Sequence, residues 1–194
     1  MSKKILIIDG HPDSASFSNC IAEEYYLSAK NGKHEVEMIK VRDLKFDLVL
    51  HHGYNAPQKL EKDLQKAQEL ITWCEHLVIV TPVWWYSVPA TLKGFIDRIL
   101  MPGYAFKFNS ETHKLEKLLK SKSSRVIYTQ GSSKFLSKIL CIDPFWKQIK
   151  CGVLEFCGIA PVKRTYLAKM SGEKDILRRQ KFLKKVGKLG FKGE

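Results

Sequence analysis

Short aliphatic runs alternate along the chain with longer segments whose apolar residues recur every three or four positions. Lys4 to Asp9 is apolar between a lysine and an aspartate, the pattern of a strand covered on both faces. Gly10-His11-Pro12-Asp13 stops it. From Ser16 or Phe17 to about Lys30 the residues suit a helix closed by Asn31-Gly32. Glu35 to Val41 alternates in part and predicts a second strand. A long connection through His51-His52-Gly53-Tyr54-Asn55-Ala56-Pro57 leads to a helical segment from about Gln58 to Cys74. Leu77 to Val80 reads as a third strand broken at Thr81-Pro82, and a helix follows from Pro89, where proline suits the first turn, to Leu100. Tyr104, Phe106 and Phe108 alternate as a short extended segment would. Arg125 to Thr129 is the fourth strand, ended by Gln130-Gly131-Ser132-Ser133. A helix over Pro144 to Phe156, a fifth strand over Val162 to Leu167 and an amphipathic helix from Glu173 to about Lys188 complete the pattern.

Strand and helix alternating five times predict an α/β fold, a parallel sheet with helices on both faces and right-handed crossovers. No repeat, low-complexity segment or linker marks a second domain, so residues 1–194 read as one. Ligands of such sheets bind beyond the carboxyl ends of the strands, where the strand order reverses. The loops after strands one, three and four are therefore where chemistry is expected.

The first of these, Gly10 to Asn19, runs into a helix N-terminus, where free N–H groups and the helix dipole favour an anion. Ser14, Ser16, Ser18 and His11 suit a phosphate cradle that needs no lysine, although serines there also serve as plain helix caps. The loop has neither the G-x-G-x-x-G nor the G-x-x-x-x-G-K-[ST] spacing, so a Rossmann dinucleotide site and a P-loop are not indicated. The second loop, Thr81 to Ala90, places Trp84, Trp85 and Tyr86 in succession past a buried strand. A core takes one or two such rings; the remainder, with the loop's amides, suits a planar polar heterocycle. In the third loop, Thr129-Gln130-Gly131, a small residue allows close backbone approach to a ligand.

Composition narrows the classes. The chain is 44% apolar and 27% charged, as folded proteins are, and has no apolar run of the roughly 18 residues that a membrane span needs. The first apolar run ends at Asp9, too short for a signal-peptide core, so a cytoplasmic protein is expected. The five cysteines (Cys20, Cys74, Cys141, Cys151 and Cys157) are scattered and read as reduced thiols, mostly in the core. His51-His52 reads as exposed loop rather than metal site, and no metal is expected. The net charge of +13 is spread along the chain without a nucleic-acid motif, so nucleic acid is not an expected partner. The lysines from Lys181 to Lys192 read as a solvated face, the alternative being a basic tail beside an anionic membrane, and Asp97-Arg98 as an ion pair on a helix face.

Three stretches together resemble a known family: Gly10-His11-Pro12 through Ser16-Phe17-Ser18; Thr81-Pro82-Val83-Trp84-Trp85-Tyr86-Ser87-Val88-Pro89-Ala90 through Asp97-Arg98; and Gly103-Tyr104-Ala105-Phe106-Lys107-Phe108. They are similar to the NAD(P)H quinone oxidoreductases of the DT-diaphorase type. The small bacterial flavin azoreductases and the regulatory subunits of potassium efflux systems share the pattern. The resemblance implies a flavodoxin-like fold of strand order 2-1-3-4-5 and a homodimer with its active site at the subunit interface. It implies a flavin whose phosphate is held by His11, Ser16, Phe17 and Ser18. Pro82, Val83, Trp84, Trp85, Tyr86 and Ser87 would line its ring, with Thr129, Gln130 and Gly131 on the polar edge. NAD(P)H and a quinone, azo or nitro acceptor would use one pocket in turn; the alternative is a flavin-bearing regulatory partner of a membrane transporter. FMN is favoured because the Ser16-x-Ser18 loop can end on a phosphate, with FAD the other possibility. DT-diaphorase has a tyrosine and a histidine at the hydride-transfer site after the third loop. Ser132 to Ile139 offers neither, so no catalytic acid is assigned.

Overall fold

The computed structural model describes residues 2–54, 56, 58–131, 143–169 and 175–194. Five parallel strands, β1 (Lys4–Asp9), β2 (Glu35–Lys40), β3 (His76–Pro82), β6 (Ser123–Gln130) and β7 (Val162–Ala168), form a sheet of order β2-β1-β3-β6-β7. Two short antiparallel strands, β4 (Phe106–Phe108) and β5 (Leu115–Lys117), stand apart as a hairpin. With that hairpin set aside, the order is the expected 2-1-3-4-5.

Helices α1 (Phe17–Asn31) and α5 (Ile176–Lys192) cover one face. The other carries α2 (Lys62–Trp73), α3 (Ala90–Ile99) and α4, which runs Pro144–Lys147, continues as a π-helix over Gln148–Leu154 and closes over Glu155–Cys157. Each face has its own core. Ile5, Ile7, Val78, Val80 and Ile127 meet α1 and α5, whereas Leu6, Ile8, Leu77, Ile79 and Val126 meet α2 to α4. The alternation of strand side chains produces this division, and it explains why β1 and β3 read as continuous apolar runs.

Several expectations need correction. β3 does not break at Thr81-Pro82 but continues through Pro82, which pairs with Thr129. Proline has no N–H to give, and the next residue supplies the bond, the Val83 N–H donating to the Thr129 carbonyl at 2.8 Å. Asp97 and Arg98 do not pair with each other. Asp97 takes Lys93 one turn earlier at 2.7 Å, while Arg98, 1% exposed, donates to Glu61 at 2.8 Å and to the carbonyls of Asp47 and Lys59. α2 begins at Lys62, four residues later than its pattern suggests.

The expectation of core cysteines holds for Cys74 and Cys157, whose burial pushes both thiols up to about 11; Cys20 and Cys151 are exposed and Cys141 lies outside the described residues. His51 and His52 are exposed, with His51 on Asp47 at 2.8 Å, and no metal-binding group occurs among the described residues. The terminal helix runs on to Lys192, past its expected end near Lys188, with one side packed and one side wet. Gly190 sits so close to α1 that a Cβ there would lie 2.6 Å from the Tyr25 carbonyl oxygen. No helix among the described residues is long and apolar enough to cross a membrane.

Candidate functional site

The three expected loops meet at the carboxyl rim of the sheet. The Gly10 N–H donates to the Val80 carbonyl at 2.9 Å, tying the first loop to the end of β3. His11 then lies edge-on to Trp84, with ring centroids 5.5 Å apart. The second loop is tied to the third by the bond from Val83 to Thr129. One continuous surface therefore carries residues separated in sequence by more than a hundred positions.

Ser16 caps α1: its Oγ accepts the Asn19 N–H at 3.1 Å, and its carbonyl accepts that of Cys20 at 3.2 Å. Helical geometry leaves the N–H groups of Phe17 and Ser18 without intrahelical acceptors, and these donors suit an anion. The Ser16 hydroxyl is thus engaged as a cap, and Ser18 is buried. Phe17 packs against the core shared by α1 and α5, with the Arg179 guanidinium 5.4 Å from its ring.

Trp84 to Ser87 form a tight turn closed in both directions, the Trp84 N–H donating to the Ser87 carbonyl at 2.9 Å and the Ser87 N–H to that of Trp84 at 2.8 Å. Both central residues are left-handed, Trp85 at φ 52° and Tyr86 at φ 57°. Glycine or asparagine is the usual occupant of such positions, and holding two large aromatics there costs on the order of 1–2 kcal/mol each. Trp85 is 97% exposed, so its ring does not repay that cost by burial. On the far side, the Ser87 hydroxyl donates to Gln148 Oε1 at 3.0 Å, linking the turn to the π-helical part of α4.

Thr129 and Gln130 are buried at the end of β6, while Gly131 is exposed with open space where a side chain would stand. Below this loop Tyr128 stacks on Tyr166 at 5.2 Å, and burial pushes its phenol up to about 12 against the pull of Arg164. Ser132 to Ile139, where no catalytic acid was expected, lie outside the described residues.

Comparison with known proteins bears on this arrangement. The sequence profile of the flavodoxin-like fold family matches residues 3–189. The chain belongs to that family. This flavodoxin-like protein is 32% identical over 164 residues to an uncharacterized NAD(P)H oxidoreductase of Haemophilus influenzae, spanning 81% of this chain and 80% of the relative. It is 30% identical to an FMN-dependent NADH:quinone oxidoreductase of Macrococcus caseolyticus, over 66% of this chain and 72% of that one. An NAD(P)H:quinone oxidoreductase from Methanothermobacter marburgensis superposes over the full length of both chains with a TM-score of 0.84 at 22% identity, a likeness of fold.

Two parts of the flavodoxin-like site do not follow from the motifs. Behind the first loop, fully buried Asp9 receives Arg42 Nη1 at 2.5 Å and the His11 N–H at 3.2 Å, while Arg42 also reaches Asn19 Oδ1 at 2.8 Å. This brace joins β1, the loop, the first turn of α1 and the segment after β2. Beside the turn lies a cavity of about 560 Å³ bounded by Ile96, Leu100, Phe106, Phe108, Val153 and Phe156, with Gln148 at its edge.

Proposed function

We propose that this chain is a flavin-dependent NAD(P)H:quinone oxidoreductase, able also to reduce azo or nitro compounds, with FMN favoured over FAD. The observation that carries this reading is the meeting of three strand-end loops at one rim, through His11 with Trp84 and Val83 with Thr129. The names of the relatives support it. A bound flavin would supply the two-electron chemistry between NAD(P)H and the acceptor. The chain's part is to bind and orient. The Phe17 and Ser18 N–H groups, with His11, Ser16 and Ser18, would hold the flavin phosphate. Pro82, Val83, Trp84, Trp85, Tyr86 and Ser87 would hold the flavin ring, and Thr129, Gln130 and Gly131 would meet its polar edge. Fixed backbone dipoles of this kind stabilise negative charge as it develops. Donor and acceptor would use one pocket in turn, so no separate dinucleotide motif is needed.

The proposed assembly is a homodimer, with the apolar cavity beside the turn completing the acceptor pocket across the interface. Exposed Trp85 and Phe108, at 97% and 58%, support it as surfaces suited to cover. A cytoplasmic location is supported by the free thiols of Cys20, Cys74, Cys151 and Cys157.

The purified protein is expected to be yellow, to bleach with NADPH and to turn over repeatedly with menadione. A bound flavin that neither NADH nor NADPH reduces would overturn the enzymatic reading in favour of a regulatory one. Mass spectrometry of the released nucleotide distinguishes FMN from FAD. Combining Ser16→Ala with Ser18→Ala is expected to weaken flavin retention about tenfold in equilibrium dialysis; unchanged retention removes this loop from the phosphate site.

A further inference from the structure

Helix α5 turns one stripe of side chains outward: Leu177, Lys181, Lys184, Lys188 and Phe191. Spacings of four, three, four and three residues set all five on a single face. Lys185 and Lys192 flank it, exposed like the rest. The opposite face is taken, since Phe182, Val186 and Gly190 are buried against α1 and hold the stripe toward solvent. Leu177 and Phe191, at its two ends, are 70% and 59% exposed and about 21 Å apart along the helix axis.

Among the described residues no carboxylate lies within ion-pair distance of these five lysines. The neighbouring acids have other partners. Asp175 takes Arg178 at 2.6 Å, Glu24 accepts the Ser28 hydroxyl at 3.0 Å, and Glu194 lies 4.0 Å from Arg125. The helix carries seven cations and no acid, in a chain of net charge +13.

We propose that this face docks onto an anionic phospholipid bilayer. Phosphatidylserine headgroups attract the five lysines, whose ammonium groups stay at headgroup level while the Leu177 and Phe191 side chains enter the acyl boundary. A nucleic acid backbone offers the same negative charge but gives an aliphatic and an aromatic side chain at the two ends nothing apolar to enter. The surface is independent of the flavin site. On the functional reading above, docking holds the protein beside the phase in which lipophilic quinones dissolve.

Co-sedimentation of the intact protein with vesicles tests this. Binding to phosphatidylcholine vesicles containing phosphatidylserine, and none to phosphatidylcholine alone, is expected. Substituting Lys181→Gln, Lys184→Gln and Lys188→Gln together is expected to reduce partitioning about a hundredfold, roughly fivefold per lysine, with thermal unfolding unchanged. Leu177→Ser with Phe191→Ser is expected to remove the binding that persists at about 1 M salt, where Coulomb attraction is screened within about 3 Å. Equal binding to neutral vesicles, a triple variant that sediments like the parent, or tighter capture of duplex DNA than of phosphatidylserine vesicles at the same ionic strength overturns the proposal.

Discussion

Arg42→Ala is expected to lower the free energy of unfolding by about 3–5 kcal/mol, measured by urea denaturation near neutral pH. Asp9 is 0% exposed, and without the guanidinium its carboxylate keeps, among the described residues, the His11 N–H. The cost comes from the charge left behind rather than from the pair's net worth, so removing both partners is expected to be milder than removing one. Asp9→Ala combined with Arg42→Ala should therefore unfold at higher urea than Arg42→Ala alone. A loss below about 1 kcal/mol for Arg42→Ala would place the pair in the surface class, where solvent already screens it. The single variant is also expected to lose flavin, because Arg42 reaches the His11 carbonyl at 3.3 Å and Asn19 at 2.8 Å, holding the loop and the first turn of α1 in register.

Stability is expected to fall as the pH drops below about 6.5. His76 is 4% exposed at the start of β3, its Nδ1 within 2.8 Å of Ser123 Oγ and its Nε2 buried without a hydrogen-bond partner among the described residues. Burial first, then the positive charges of Lys3, Arg125, Lys163 and His34, push its pKa down to about 3 from the ordinary 6.5. The folded chain therefore holds this imidazole neutral while the unfolded chain protonates it. Between about pH 6.5 and about pH 3 the unfolded state binds one more proton, and stability declines by roughly 1.4 kcal/mol per pH unit from this group. His76→Gln is expected to remove that share of the slope. Equal slopes for parent and variant between about pH 7 and pH 4 would show that the imidazole is hydrated in the folded protein.

Periodicity read the sheet well because β1 and β3 are buried on both faces and so are apolar without interruption. It failed at Pro82, where the rule that proline ends a strand neglects the donor available one residue later. The β4–β5 hairpin was only half legible. Phe106 and Phe108 alternate visibly, but the partner Leu115-Glu116-Lys117 is too short and polar to register. Arg98 looked like surface because its neighbour is an acid; the partners of its buried guanidinium, Glu61 and the carbonyls of Asp47 and Lys59, come from a connection with little pattern of its own.

At the candidate site the turn was legible because three large aromatics in a row cannot all enter a core; the structure leaves all three exposed, where one or two were expected inside. The brace behind them was not. A lone aspartate closing an apolar run does signal a missing cation, but nothing in Val41-Arg42-Asp43 shows that Arg42 is the one supplied, since the contact depends on β2 lying beside β1. Gln148 was equally hidden, its side chain meeting Ser87 from a helix whose π-helical geometry no spacing rule anticipates.

The turn at Trp84 to Ser87 bears on how quickly the proposed nucleotide is captured. Two left-handed aromatics fixed by the fold mean that, at the proposed site, the turn's amides are ordered before any ligand arrives. Association then involves little rearrangement of this loop, and the encounter is governed by diffusion and by the phosphate's attraction to the first turn of α1. Replacing Tyr86 by glycine relieves the backbone but frees it to wander, so that variant is expected to unfold at slightly higher temperature while taking up flavin more slowly in stopped-flow mixing. On the proposed reading, rigidity here is a kinetic property.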